Sequence, residues 1–110
     1  MRSIVFALVV SAAAPAAFAQ ADARIVKFFG ETCGTCHGEK GEGLRGLAPP
    51  LKGNKFVTEG SAAEIGNVIT KGREGAAKKY KDLPSPMPAN SMSDSRLQGL
   101  IAYLKGDLQK

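Results

Sequence analysis

The 110-residue chain has few of the residues from which metal and redox sites are usually built. It has two cysteines, Cys33 and Cys36, a single histidine, His37, and no tryptophan. Structural zinc takes four ligands, usually Cys or His, so these residues do not complete such a site. A disulfide across two residues would close almost no loop and would stabilise the fold little. Any chemistry that needs a thiol or an imidazole therefore depends on the one cluster at residues 33–37.

Long apolar runs are also scarce, and the only one lies at the start of the chain. Residues 4–14 are apolar apart from Ser11 but too few to span a bilayer, which takes about 20 residues. Arg2 precedes the run, and Ala-Phe-Ala at 17–19 follows it. A positive residue, an apolar run and an Ala-x-Ala site are typical of a secretory signal peptide. We predict a cleaved signal peptide over 1–19, a mature domain over 20–110, a periplasmic location and no stable membrane insertion.

The mature chain is short for a domain that depends on side chains alone for its core. Chains of this size often need a disulfide, a metal or a cofactor to supply buried contacts. Thirteen glycines and six prolines predict long loops around few helices. The net charge of +5 suits acidic protein partners. No nucleic-acid-binding motif or basic stripe with interleaved aromatics is present, so nucleic acid is not expected as a partner.

Caps and apolar spacing predict the first two helices. Asp22 is suited to cap a helix over residues 23–33, which runs into the cysteine cluster. Ser61 and Glu64 form a capping box, in which each side chain pairs with the other's backbone N–H. Gly72 ends this second helix as a glycine C-terminal to its last turn.

The last helix carries the strongest amphipathic pattern. Ser93 caps it, and its apolar positions recur at helical spacing: Leu97, Leu100, Ile101, Leu104 and Leu108. Residues 39–55 and 72–90 are predicted to be loops, because glycine and proline recur in them and interrupt regular secondary structure. No segment has the pattern of a strand. The predicted class is all-α, with three main helices and two long loops.

The cluster Cys33-Gly34-Thr35-Cys36-His37 has the spacing of a haem c attachment site. Two thiols one helical turn apart can bond the two vinyl groups on one edge of the macrocycle. The histidine that follows is then carried beneath the ring, where its imidazole reaches the iron. A thioredoxin-like redox pair is a second interpretation, but that fold needs a βαβ pattern. Zinc binding and a plain disulfide are two further interpretations of the same residues.

Since His37 is the only histidine, the chain cannot supply a bis-histidine haem site. If the chain supplies a sixth ligand to the iron, a methionine is the expected donor. Met87 lies in Ser-Pro-Met-Pro-Ala, where prolines hold the loop extended and stiff. Met92 has a structural role available as the residue before the Ser93 cap, packing against Leu97 as a hydrophobic staple. Met87 is therefore favoured over Met92 as ligand.

Taken in order, these features resemble those of a class I monohaem cytochrome c of the small bacterial type. The ordered markers are Phe29 four residues before Cys33, the Cys-x-x-Cys-His motif, Pro-Pro-Leu-Lys-Gly at 49–53, and Met87-Pro88 ahead of the last helix. The resemblance covers nearly the whole mature chain.

The resemblance implies an all-α cytochrome c fold wrapped around one covalently bound haem c with its iron. The residues that it assigns to the cofactor are Cys33 and Cys36 (thioether bonds), His37 (proximal iron ligand), Pro49 (carbonyl acceptor for His37 Nδ1–H), Leu51 (packing against the haem face) and Met87 (sixth iron ligand).

The resemblance also implies that the first and last helices cross, with Phe29 meeting Leu100 and Tyr103. Two positions depart from the family pattern. Ile25 stands where a small residue is usual, eight residues before the first cysteine, which puts the closeness of the crossing in doubt. Arg96 stands at the third position of the last helix, where glutamate is frequent. Neither departure touches the iron.

The expected function is a monomeric periplasmic electron carrier that is not itself an enzyme. Alternatives are a haem-based gas or ligand binder, a thiol–disulfide enzyme without haem, and an electron-transfer subunit of a larger periplasmic oxidoreductase. The expected partners are redox proteins with acidic docking surfaces. Seven cations in the two loops flanking the haem support this expectation: Lys52, Lys55, Lys71, Arg73, Lys78, Lys79 and Lys81.

Overall fold

The computed structural model describes residues 22–74, 79, 83 and 86–110. The described helices are α1 (Ala23–Phe28), a π-helical turn (Phe29–Cys33), α2 (Gly34–His37), α3 (Lys55–Glu59), α4 (Ala62–Lys71), α5 (Asp94–Lys105) and a 3₁₀ turn (Asp107–Gln109). Among these residues the only β pairing is two isolated bridges, Leu44 with Ala48 and Arg73 with Met87. The all-α prediction is confirmed. The predicted signal peptide lies outside the described residues.

The first helix begins where its cap predicts. The Asp22 side chain accepts a hydrogen bond from Arg24 N, and α1 starts at the next residue, Ala23. Helical structure continues past the predicted end through the π-helical turn and α2, as far as His37. Gly38, at φ +85°, then ends it. The motif Cys-x-x-Cys-His is therefore helical throughout, and its first residue, Cys33, ends a π-helical turn, a feature common at functional sites.

The serine caps of α4 and α5 also occur as predicted, but of the capping box only the Ser61 half is present, since Ser61 N makes no hydrogen bond to the Glu64 carboxylate. Ser61 Oγ accepts from Glu64 N at 3.1 Å, and Ser93 Oγ accepts from Arg96 N at 3.3 Å. Helix α4 ends at Gly72, whose φ of +72° is readily adopted only by glycine. These local signals fixed both helix starts and the end of α4 because each depends on neighbours in sequence.

Helix α3 is absent from the predictions because it spans only Lys55–Glu59. Asn54 caps it by accepting from Phe56 N at 3.0 Å. Its C-terminal carbonyls are paired from a distance, since Lys105 Nζ on α5 donates to Val57 O and Gly60 O. A helix this short has no room for an amphipathic period and depends on such tertiary contacts.

Helix α1 crosses α5 closely even though the large residue Ile25 lies at the crossing. A Cβ added at Gly99 of α5 would lie 3.1 Å from Ile25 Cδ1, so the close approach rests on the glycine of the last helix. Further along, the rings of Phe29 and Tyr103 meet edge to face, with centroids 5.4 Å apart and planes at 70°. Phe29 and Leu100 are fully buried there. The contact implied between these helices is present.

The hydrophobic core joins the first helical segment to α3, α4 and α5. Its buried members are Phe29, Val57, Ile65, Ile69, Leu100, Ile101, Leu104 and Leu108. Four of the five apolar positions predicted for the last helix are in this set, and Leu97 packs against it. Within the described ranges, no helix has the length and apolar character needed to cross a membrane.

Candidate functional site

A cavity of about 210 Å³ lies beside the core. Its walls come from the π-helical turn, α2, α3, α4 and α5, and from the loops that follow α2 and α4. The predicted cofactor residues Cys33, Cys36, His37 and Met87 all line it. The chain thus brings together, around one space, side chains that come from two distant segments of the sequence.

The two cysteines form no disulfide with each other, and both lie half-buried at the wall where the π-turn meets α2. Burial raises the pKa of the Cys33 thiol to about 11, and the neighbouring Cys36 contributes the smaller part of the shift. Such a thiol is almost fully protonated at neutral pH, whereas a catalytic redox cysteine needs a lowered pKa. This environment does not favour the thiol–disulfide hypothesis.

His37 is oriented by a hydrogen bond across the cavity wall. Its Nδ1 lies 2.8 Å from the Pro49 carbonyl oxygen. Because a carbonyl can only accept, Nδ1 carries the proton, and Nε2 keeps its lone pair for a metal. This is the hydrogen bond that the resemblance implies. Such a partner fixes the ring and raises the basicity of the ligating nitrogen.

Backbone contacts place the Pro49 carbonyl. Gly41 O accepts from Leu51 N at 2.8 Å, and Gly43 N donates to His37 O at 2.6 Å. Gly43 has φ +81°, and a Cβ added there would lie 2.6 Å from Pro50 N. The loop therefore closes against α2 only with glycine at this position.

Met87 is held in the wall by a backbone bridge to Arg73. Arg73 N donates to Met87 O at 2.9 Å, and Met87 N donates to Arg73 O at 3.0 Å. The loop is anchored again where Asn90 N donates to Ile69 O at 2.9 Å. Met92 packs against the core and is not among the cavity-lining residues. The geometry therefore offers the thioether of Met87, rather than that of Met92, to the cavity.

The rest of the lining is largely apolar, and Leu51 belongs to it as the resemblance implies. Phe56 of α3 also lines the cavity and was not predicted, since α3 itself was not. The Arg73 guanidinium lies 4.6 Å from the centroid of the Phe56 ring, and Lys79 Nζ lies 5.6 Å from it. From the sequence, Arg73 and Lys79 were expected only to contribute positive charge to a docking surface. Their contact with the Phe56 ring could not be predicted, because no local sequence pattern indicates it.

The donor set fits a covalently bound haem. Two thiols at helical spacing, an imidazole with a free Nε2 and a thioether surround a space with apolar walls. Zinc has no comparable site, because the described part of the chain contains no group of three or more His, Cys, Asp or Glu side chains placed to hold a metal. Whether His37 and Met87 bind iron stays a prediction at this point.

A family model described as cytochrome C oxidase, cbb3-type, subunit III matches residues 20–104 of the chain. The matched range includes every residue of the cavity. No curated protein and no solved structure matches the chain significantly.

Proposed function

The chain belongs to the family described as cytochrome c oxidase, cbb3-type, subunit III, and we propose that it acts as a periplasmic carrier of single electrons. Membership makes it a monohaem c-type cytochrome: it carries one covalently bound haem c with its iron and takes part in haem-based electron transfer. We also propose that the chain is a class I cytochrome c, that His37 and Met87 are the ligands of its iron, and that it meets its redox partners in the periplasm.

The observation that carries the proposal is the shared cavity lined by His37 and Met87. Bound haem iron takes up and releases one electron as it alternates between its ferric and ferrous forms. His37 supplies a basic imidazole nitrogen, oriented by Pro49. Met87 supplies a soft thioether, which favours the ferrous form and raises the reduction potential. If His37 and Met87 both held the iron, they would leave no position on it for a substrate, so we propose that the chain is not itself an enzyme.

Export is supported by the order of features in the first residues. Arg2, the apolar run at 4–14 and the Ala-Phe-Ala site at 17–19 precede residue 20. The family match begins at that same residue.

The proposal is tested on protein recovered from a periplasmic fraction. We expect an N-terminus at Gln20 and a covalently added haem on the peptide that holds Cys33 and Cys36. The oxidised protein should show a weak near-infrared sulfur-to-iron charge-transfer band, and the reduced protein should not bind carbon monoxide rapidly. Rapid binding would instead identify a gas or ligand binder, and a colourless, haem-free product would point to a thiol–disulfide enzyme.

The family description favours a second candidate, an electron-transfer subunit of a larger oxidoreductase. This candidate has the same haem chemistry and differs only in assembly. Stable co-purification with a catalytic partner from native membranes would favour the subunit, and recovery as a monomer would favour the carrier.

We propose that the redox partner presents an acidic surface. A shallow pocket lined by Lys52, Lys55 and Lys79 adjoins the haem cavity and shares Asn54 and Lys79 with it. None of the residues described as lining this pocket is acidic. Lys78 and Lys81, counted with this group from the sequence, lie outside the described residues.

Electron exchange with an acidic redox protein should slow as salt is added. The screening length falls from about 30 Å at 0.01 M to about 3 Å at 1 M ionic strength, and steering typically contributes about tenfold or more to association. Stopped-flow rates against ionic strength measure this, with an uncharged small-molecule reductant as the control that should show no change. A rate that is independent of salt with the acidic partner would contradict electrostatic docking.

A further inference from the structure

The side chain of Gln109, in the 3₁₀ turn after α5, makes three hydrogen bonds. Its Nε2 donates to Leu51 O at 3.0 Å and to Leu104 O at 2.9 Å, and its Oε1 accepts from Gly53 N at 2.7 Å. Both N–H donors and the oxygen are thus paired, and a flipped amide would set its oxygen against two carbonyls. The amide links the C-terminal turn to residues 51–53.

The linked segment is part of the haem-cavity wall. Leu51 lines the cavity, and Pro49, two residues earlier, holds His37 through its carbonyl. Pro49 and Pro50 have no N–H and cannot anchor themselves as donors. Pro50 is held through its carbonyl, which accepts from Asn54 Nδ2 at 2.9 Å. Leu51 is held at both ends of its backbone, by Gly41 O and by Gln109.

We propose that Gln109 is a positioning residue for His37, acting through Leu51 and Pro49; this rests on the proposed role of His37 as iron ligand. The Gln109 amide keeps the segment in place, and the segment keeps the Pro49 carbonyl within hydrogen-bonding distance of His37 Nδ1. That bond makes the imidazole more basic and stabilises ferric iron. Loss of the amide should therefore weaken the bond and raise the reduction potential.

The test compares Gln109→Leu with Lys110→Ala in the haem-loaded protein. Leucine has a side chain of similar size to glutamine, removes all three hydrogen bonds and adds no further thioether. The control variant removes only an exposed ion pair of the same turn, Lys110 with Asp107 at 3.1 Å. It leaves the Lys110 carbonyl, which accepts from Lys52 Nζ.

Two measurements distinguish positioning from a merely structural role. In Gln109→Leu, hydrogen exchange of His37 Nδ1–H and Leu51 N–H in the reduced protein should be about tenfold faster, or more, relative to Ile69 N–H in α4. The reduction potential should become more positive. Lys110→Ala should change neither. Gln109→Asn, which keeps a shorter amide and perturbs folding less, should give a smaller change in the same direction.

The proposal is overturned if Gln109→Leu speeds exchange at Ile69 as much as at His37 and leaves the potential unchanged, because Gln109 would then only stabilise the fold. It is overturned equally if Lys110→Ala has the same effect, or if Gln109→Leu has none. Failure of the proposed function is separate and visible earlier, since wild-type protein would then lack the sulfur-to-iron band before any variant is compared.

Discussion

Replacing Met87 by alanine is expected to abolish the sulfur-to-iron charge-transfer band of the oxidised protein and to let the reduced protein bind carbon monoxide. The thioether of Met87 lines the same cavity as His37, and the backbone bridge to Arg73 holds it there. Alanine has no atom to offer the iron. The reduction potential should also fall, because the soft ligand that favours the ferrous form is gone. Optical spectra and a redox titration measure all three changes.

Met92→Ala is the matched control. Met92 and Met87 are both half-buried and both pack against the core, so each truncation removes a comparable amount of packing. Met92 does not line the cavity. Its variant should lose stability, by about 1–3 kcal/mol for partial burial, while its near-infrared band stays. If Met92→Ala lost the band and Met87→Ala kept it, the assignment of the sixth ligand would be reversed.

The parts of the site that could be predicted from the sequence are those fixed by local chemistry. Cys-x-x-Cys-His depends on one helical turn, and the structure has that turn as α2. The caps Ser61 and Ser93 bond backbone groups three residues ahead, so they too are readable without tertiary information. The end of α4 at Gly72 could also be predicted, because a glycine that adopts positive φ ends a helix through its own backbone conformation.

The parts that could not be predicted depend on which distant residues meet. The contact of Ile25 with Gly99 shows this clearly. A large residue at position 25 suggested a looser crossing, but the space is provided by a glycine on the opposite helix. Nothing near Ile25 in sequence carries that information.

The same holds for the cavity wall. Phe56 reaches the cavity from a helix whose C-terminal carbonyls are paired by Lys105 of α5, and Arg73 stacks on its ring. Gln109 bonds residues more than fifty positions earlier in the chain. These partners have ordinary residue types and no characteristic spacing, so only the folded chain identifies them.

Gly72→Ala is expected to displace Met87, the proposed sixth ligand, from its place in the cavity wall without altering Met87 itself. Gly72 has φ +72° and ψ −174°, a backbone region that is adopted essentially only by glycine and that disfavours alanine by about 1–3 kcal/mol. A Cβ there would also overlap the Met87 carbonyl oxygen and lie 2.8 Å from Ala89 N. Both neighbours are backbone atoms that cannot rotate away, so the loop that carries Met87 must move.

The control for Gly72→Ala is Gly46→Ala, because Gly46 has a similar φ of +77° and no heavy atom within 4 Å of an added Cβ. Each variant should lose about 1–3 kcal/mol of unfolding free energy from the backbone conformation, measured by denaturant titration. Only Gly72→Ala should also weaken the near-infrared band and bind carbon monoxide. A full-strength band in Gly72→Ala would mean that the bridge between Arg73 and Met87 does not set the position of the thioether. Loss of the band in both variants would mean that general destabilisation, rather than the overlap at Gly72, displaces it.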